Sequence, residues 1–270
     1  VEEVQRMSVS ELTGETNTTG QAQREIEALT RRLRMPYIRK AAPEVLATAR
    51  SQRWDPAEAL KVLLEEEAKG RDRATISNNR SRAGFPSGKT FESWEQAASS
   101  ILAPTQQALQ TLEWVGRREN LAVCGPSGTG KSHYLEALSN LSVDRGMKVS
   151  WFSLEELGAL VRRYQADDSV AKAISRVCRA DLIVVDDIGL LPVANDTAEG
   201  FYRLVDTAYE KRSLAISSNV HPAGFDELIP KNLAGATVDR LMHHAHVVLT
   251  EGESYRLTEA TAGRGVVPLN

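Results

Sequence analysis

Residues 125–132 read GPSGTGKS. They directly follow the apolar run 121-LAVC-124 and open the amphipathic stretch 131–144. The pattern G-x-x-x-x-G-K-[ST] between a strand and a helix leaves few folds open to the chain. It needs a strand covered on both faces, a turn that glycine can follow, and a helix whose positive end meets an anion. Gly125, Gly128 and Gly130 let the backbone N–H groups of the loop converge on phosphate oxygens, with Pro126, Ser127 and Thr129 between them. Lys131 is expected to reach β- and γ-phosphates as a compact charge, and Ser132 to offer its hydroxyl to Mg²⁺.

The rest of the core repeats the strand–helix alternation. Apolar runs 147-MKVSWFS-153, 181-DLIVVDD-187, 214-LAISSN-219 and 246-HVVLT-250 are separated by helical patterns, among them 196–212. Near-continuous apolar strands divided by helices predict an α/β fold with a parallel sheet covered on both faces.

Three further segments carry chemistry. The strand 182-LIVVDD-187 ends in two acids. Asp186 is assigned to Mg²⁺ and Asp187 to a hydrolytic water, the alternative being a solvated strand-end turn. Asn219, closing the strand 214-LAISSN-219, is expected to hydrogen-bond the γ-phosphate or the attacking water, or else to sit in an ordinary turn. Arg240 in 236-ATVDRLMHHAHVV-248 is placed as an arginine finger reaching a neighbouring subunit's nucleotide, the alternative being a surface pair with Asp239 or Glu227. His243, His244 and His246 are read as helix-end or packing residues. Consecutive positions face different sides of a helix, and no carboxylate or cysteine stands at useful spacing.

The front of the chain differs in charge. Residues 1–90 hold 16 Lys+Arg against 13 Asp+Glu, and residues 91–270 hold 17 against 23. A net of +3 beside −6 excludes a wholly basic nucleic-acid coat but leaves an anion-facing front end. Residues 1–22 are expected to be a disordered polar arm, and 23–72 a small helical domain. In that domain Ile26, Leu29 and Leu33 form one stripe, and Ala59, Leu60, Leu63 and Leu64 another, with Asp55 capping the helix that Pro56 starts. Residues 73–90 are expected to be a basic linker broken by Gly84, Pro86 and Gly88, 91–252 the core domain, and 253–270 a tail too short for a full helical lid. Cys124 and Cys178 cannot by themselves make a disulfide framework or a four-ligand zinc site. With no apolar run of about 18–20 residues and no secretory signal, a cytoplasmic protein without a membrane partner is expected.

Taken in this order, GPSGTGKS, Asp186-Asp187 before Ile188-Gly189, the strand ending SSN, and DRLMHHAHVV resemble the AAA+ ATPases. Within them the chain is similar to the branch of the DnaC-type helicase loaders and the IstB-like transposition helper ATPases. Residues 29–67 and 85-FPSGKTFESW-94 resemble the IstB-like side, and the likeness covers about residues 24–252. It implies a P-loop core with sheet order 5-1-4-3-2, a small helical N-terminal domain, and ATP with Mg²⁺ as cofactors. The ATP site would comprise Gly125 to Ser132 and His133, with Lys131, Asp187, Asn219 and Arg240 catalytic. It also implies a homo-oligomer that assembles on duplex DNA, recruits and activates a DDE-type transposase, and disassembles on hydrolysis. The wider AAA+ pattern has Glu where this chain has Asp187, one methylene shorter, so slow turnover is expected. Arg256 is the candidate for a lid-type sensing arginine.

Sequence-independent binding to duplex DNA needs Lys and Arg along the phosphates. The candidates are Arg31, Arg32, Arg34, Arg39 and Lys40, then Arg71, Arg73, Arg80, Arg82 and Lys89, and in the core Arg162 and Arg163. The alternative for each is a solvated surface or a pair with a nearby acid. A replicative helicase loader remains the competing function. It would prefer single-stranded DNA, although residues 1–90 lack the cysteines of a zinc front end.

Overall fold

The computed structural model describes residues 9–165, 169–189, 193–227 and 229–261. Residues 1–8 of the expected arm and 262–270 of the expected tail lie outside the described residues. Contacts divide the chain into two units, Val1–Thr75 and Ile76–Asn270.

The first unit holds α1 (Val9–Arg32), α2 (Pro36–Gln52) and the front of α3 (Pro56–Ala83). Asp55 caps α3, its Oδ1 accepting the Ala57 N–H at 2.8 Å. Glu67 of α3 is 5% exposed, and its Oε2 accepts the Tyr37 and Ile38 amides at the start of α2, both at 2.9 Å. Burial works against that charge, yet the Ile38 amide, Arg71 and the Tyr37 amide hold the carboxyl below its ordinary range. A Cβ on Gly70 would lie 2.1 Å from the Tyr37 ring, so glycine is what lets α2 and α3 approach there.

Three expectations for this region are corrected. Residues 9–22 are not an irregular arm but part of α1, because extending an existing helix costs far less than starting one. The basic linker does not begin at 73, since α3 runs on to Ala83 and irregular chain begins only at Gly84. Residues 71–83 hold no Gly or Pro, so their charge decorates a helix instead of solvating a linker. Finally, Leu29, Leu33, Leu60 and Leu64 are each at least half exposed, while Ile38, Ala42 and Ala59 are buried. Three helices enclose too small a core to cover every apolar stripe.

The second unit is an α/β domain. Its helices are α4 (Ala103–Gln110), α5 (Glu113–Gly116), α6 (Lys131–Asp144), α7 (Leu154–Gln165), α8 (Val170–Val177), α9 (Asn195–Ala208), α10 (Lys231–Met242) and α11 (Tyr255–Thr261). Its strands are β1 (Asn120–Cys124), β2 (Val149–Ser153), β3 (Leu182–Ile188), β4 (Ser213–Ser218) and β5 (Ala245–Leu249). They pair in parallel in the order β2-β3-β4-β1-β5, which is the expected 5-1-4-3-2. Alternate residues feed two cores. Ala122, Ile183, Val185 and Ile216 face one side with α7 to α10, and Leu121, Val123, Val184 and Ala215 face the other with α6. The edge strand β5 keeps Val248 buried but leaves Val247 and Leu249 about half exposed. Among the described residues, no helix is long and apolar enough to cross a membrane.

The chain entering this domain is pinned by Glu136 of α6, which is 1% exposed. Its carboxylate accepts the Ser87 amide at 3.0 Å, the Ser87 hydroxyl at 2.7 Å and the Gly88 amide. Glu136→Ala would strand three donors around a cavity. It is expected to destabilise the protein by about 2–4 kcal/mol, read as a lower midpoint in urea unfolding. An unchanged midpoint would remove Glu136 from this role.

Candidate functional site

The carboxyl ends of β1, β3 and β4 lie side by side, and a cavity of about 650 Å³ opens along that edge. This is the size and place expected for a small-molecule site on an open parallel sheet. Ser127 to His133, Asp186, Asp187 and Asn219 line it together. Gly125 and Pro126 form the base of the loop. At Gly125 a Cβ would lie 2.1 Å from the Thr250 carbonyl oxygen. Gly128 and Gly130 both take φ +87°, the left-handed region that favours glycine. Lys131 opens α6 and is buried, with Nζ donating to the Pro126 carbonyl at 2.7 Å. Burial pulls its ammonium below the ordinary range, against the pull of Asp187 and Asp186.

The two acids part company because β3 bulges. Val185 pairs with Ile216 and Ile188 with Ser218, so Asp186 and Asp187 together oppose Ser217. Asp186 is buried and accepts hydrogen bonds from the Ser132 hydroxyl at 3.0 Å and from Ser217. Burial pushes its carboxyl up, Ser217 opposes that, and neighbouring Asp187 adds to it. Asp187 takes φ +61° and is exposed to the cavity, its amide donating to Ser217 Oγ at 2.9 Å. Ser132 and Asp186 therefore form a hydroxyl–carboxylate pair, an oxygen donor set that fits Mg²⁺. The loop, helix end and Lys131 fit a polyphosphate, which would compensate the poorly solvated ammonium. Asn219 follows β4, its amide held by the Ile188 carbonyl at 3.0 Å.

Several residues at the site escaped sequence reasoning. Ser217 joins both acids, and its only signal was its place in the strand ending SSN. Trp94 stands edge-on to His133 at 5.1 Å, donates its indole N–H to Gln106 at 2.8 Å and crowds Gly130. Its signal was the stretch 85-FPSGKTFESW-94. His133 also meets Ser93 Oγ at 3.1 Å, and burial holds its imidazole below the ordinary range. From the other side the segment after β5 closes on the loop. The Tyr255 amide donates to the Gly128 carbonyl at 3.0 Å, and Thr129 and Thr250 share a hydroxyl contact of 2.7 Å. Arg256 of α11 lines the same cavity.

Arg240 is not part of this cavity. On α10 its Nε meets Asp206 at 3.1 Å, not Asp239 or Glu227, and its guanidinium lies 5.8 Å from the Tyr202 ring centroid. His246 pairs with Glu119 at 2.7 Å, while the rings of His243 and His244 lie 3.8 Å apart and the Tyr209 hydroxyl meets His243 Nδ1 at 2.8 Å. Glu210 lies within 4.8 Å of His243 and His244, a carboxylate that spacing along the chain did not offer.

The basic candidates also divide. Arg71 is committed to the fold, held by buried Glu67 at 2.8 Å and the Arg34 carbonyl at 2.8 Å. Arg31 pairs with Glu27 at 3.0 Å, Arg162 with Asp196 at 3.0 Å and Arg80 with Asp144. These pairs are at the surface and cost little to open. Arg163 lies 5.8 Å from the Tyr164 ring centroid. Arg32, Arg34, Arg39, Lys40, Arg73, Arg82 and Lys89 show no ion pair among the described residues. Arg39 and Lys40 border a groove of about 400 Å³ between α1 and α2, and Lys89 lines the main cavity.

Residues 28–262 match the family model described as IstB-like ATP binding protein. An insertion sequence IS21 ATP-binding protein of Pseudomonas aeruginosa is 31% identical over 237 residues, covering 87% of this chain and 89% of that one. An IS232 counterpart from Bacillus thuringiensis is 28% identical over 206 residues, covering 75% and 82%. Among solved structures, the replication initiator DnaA bound to AMPPCP and single-stranded DNA superposes with a TM-score of 0.52 at 20% identity. That match covers 67% of this chain and 55% of DnaA. DnaI superposes with a TM-score of 0.50 at 15% identity, covering 60% and 91%. The structural likenesses show a shared α/β fold.

Proposed function

The chain belongs to the family of IstB-like ATP-binding proteins, and from that membership we propose that it is an ATP-driven helper of DNA transposition. It binds ATP with Mg²⁺, assembles as a homo-oligomer on duplex DNA, and recruits and activates a DDE-type transposase. Slow hydrolysis then controls disassembly, and the work is done in the cytoplasm. The observation that carries this reading is the meeting of Lys131, Ser132, Asp186, Asp187 and Asn219, from three strand ends, in one cavity from which Arg240 is absent. The relatives at 31% and 28% identity are named as insertion-sequence ATP-binding proteins, which supports a transposition role over helicase loading.

The roles of the residues follow from their positions. The loop amides and Lys131 bind and orient the phosphates. Mg²⁺, when bound, neutralises phosphate charge and would be held by Ser132 and Asp186. Asp187, exposed to the cavity, orients and deprotonates the attacking water, and Asn219 positions it. Arg240 serves the site of the next protomer, exchanging its contact with Asp206 for a neighbour's phosphate.

That last role has a direct test. Arg240→Ala should keep ATP affinity and lose on the order of 10³-fold in turnover. Mixing it with Lys131→Ala should restore some activity, because certain interfaces then join an intact loop to an intact arginine. A mixture as inactive as its parts would remove Arg240 from a neighbour's site. The function itself is tested by anisotropy of labelled duplex and single-stranded DNA with ATP and with ADP. ATP-dependent duplex binding is the expected result. Binding to single strands alone would favour the helicase loader.

A further inference from the structure

The sheet edge opposite the nucleotide cavity carries a charged groove that no motif announces. Two hollows of about 420 and 230 Å³ share Arg118, Lys211 and Arg212 in their walls. The larger adds Ser175, Thr207 and no carboxylate, the Thr207 hydroxyl already donating to the Arg203 carbonyl at 2.7 Å. The smaller meets one acid, Asp181, whose Oδ2 is already taken by the Lys148 amide at 2.9 Å.

The topology explains the gathering. Arg118 stands just before β1, Arg212 just before β4, and Asp181 just before β3. Since β3, β4 and β1 are neighbours, their starts spread over about 10 Å. A DNA strand carries about three phosphates over that axial length. Backbone carbonyls orient the two arginines without neutralising them. Arg212 Nε donates to the Cys178 carbonyl at 2.9 Å, and Arg118 Nη1 to the Glu210 carbonyl at 3.4 Å. Among the described residues, none of the three cations has an ion pair. Side-chain hydroxyls beside Arg and Lys are the set that contacts nucleic-acid phosphates. The walls hold no aromatic ring on which a nucleotide base would stack.

We propose that this groove is a second anion site, separate from the nucleotide cavity, and that it seats the phosphate backbone of duplex DNA without reading its sequence. The inference rests on the DNA-binding function proposed above and assigns a surface to it.

The test uses the full chain and a double variant, Arg118→Ala with Lys211→Ala. Both residues are exposed, and Arg212 is left intact because it also fastens the Cys178 turn. Duplex affinity is measured with ATP between 50 and 200 mM salt. Losing two phosphate contacts should lower the slope of log affinity against log salt by about 1.8. Affinity should fall alike for unrelated sequences, while binding of a fluorescent ATP analogue stays unchanged. The conservative pair Arg118→Lys with Lys211→Arg should restore the slope. Wild-type slope and affinity in the double variant would overturn the groove alone. Impaired capture of a protein partner with an unchanged DNA slope would overturn it in favour of an acidic protein segment. If the unaltered protein binds no duplex at all, the functional reading fails and the groove falls with it.

Discussion

Replacing Lys131 with alanine is expected to weaken ATP binding at least about 100-fold, a loss of roughly 3 kcal/mol or more. The ammonium is buried beside Asp186 and Asp187, where its interaction with phosphate is little screened by water. Among the described residues its one hydrogen bond is to the Pro126 carbonyl, so the fold should survive its removal. Titration of a fluorescent ATP analogue reads the effect, with thermal unfolding as the control. Near-normal affinity in a folded variant would show that the nucleotide lies elsewhere.

Asp187→Asn is expected to bind ATP as well as the unaltered protein and to hydrolyse it about 100-fold more slowly or worse. Asparagine keeps the size of the side chain and tolerates the left-handed backbone that φ +61° demands. The amide bond to Ser217 is a backbone contact and is retained. What disappears is a charged acceptor facing the cavity. An ATP-dependent assembly should therefore persist in this variant, visible as slow release from DNA after dilution. Unchanged single-turnover hydrolysis would remove Asp187 from the chemistry.

The part of this site made by contiguous residues could be read before any coordinates. The strand–loop–helix of 121–144 has its own grammar of apolar run, glycines and helix start, and the acids of β3 announce themselves by closing an apolar strand. The sheet order was implied by resemblance, not by periodicity. What stayed hidden depends on distance along the chain. Ser217 gains its role only because a bulge sets Asp186 and Asp187 against it. Thr250 and Tyr255 matter because the parallel pairing of β5 with β1 brings the segment after β5 over Gly125 and Gly128. Arg118, Lys211 and Arg212 are unremarkable in sequence and converge only where three strands begin side by side. Along α3, charge misled. Arg73, Arg80 and Arg82 read as linker, yet they lie on the continuous helix α3, while Arg71 is bound to a buried glutamate.

The proposed function turns on ATP-dependent assembly of this chain on duplex DNA. Sedimentation velocity of a labelled duplex with the protein in ATP, in ADP and without nucleotide tests it most directly. The account predicts a species carrying several protomers per duplex with ATP alone, lost in Lys131→Ala and long-lived in Asp187→Asn. The same sedimentation coefficient in all three nucleotide conditions, or assembly on single strands and not on duplex, would contradict it.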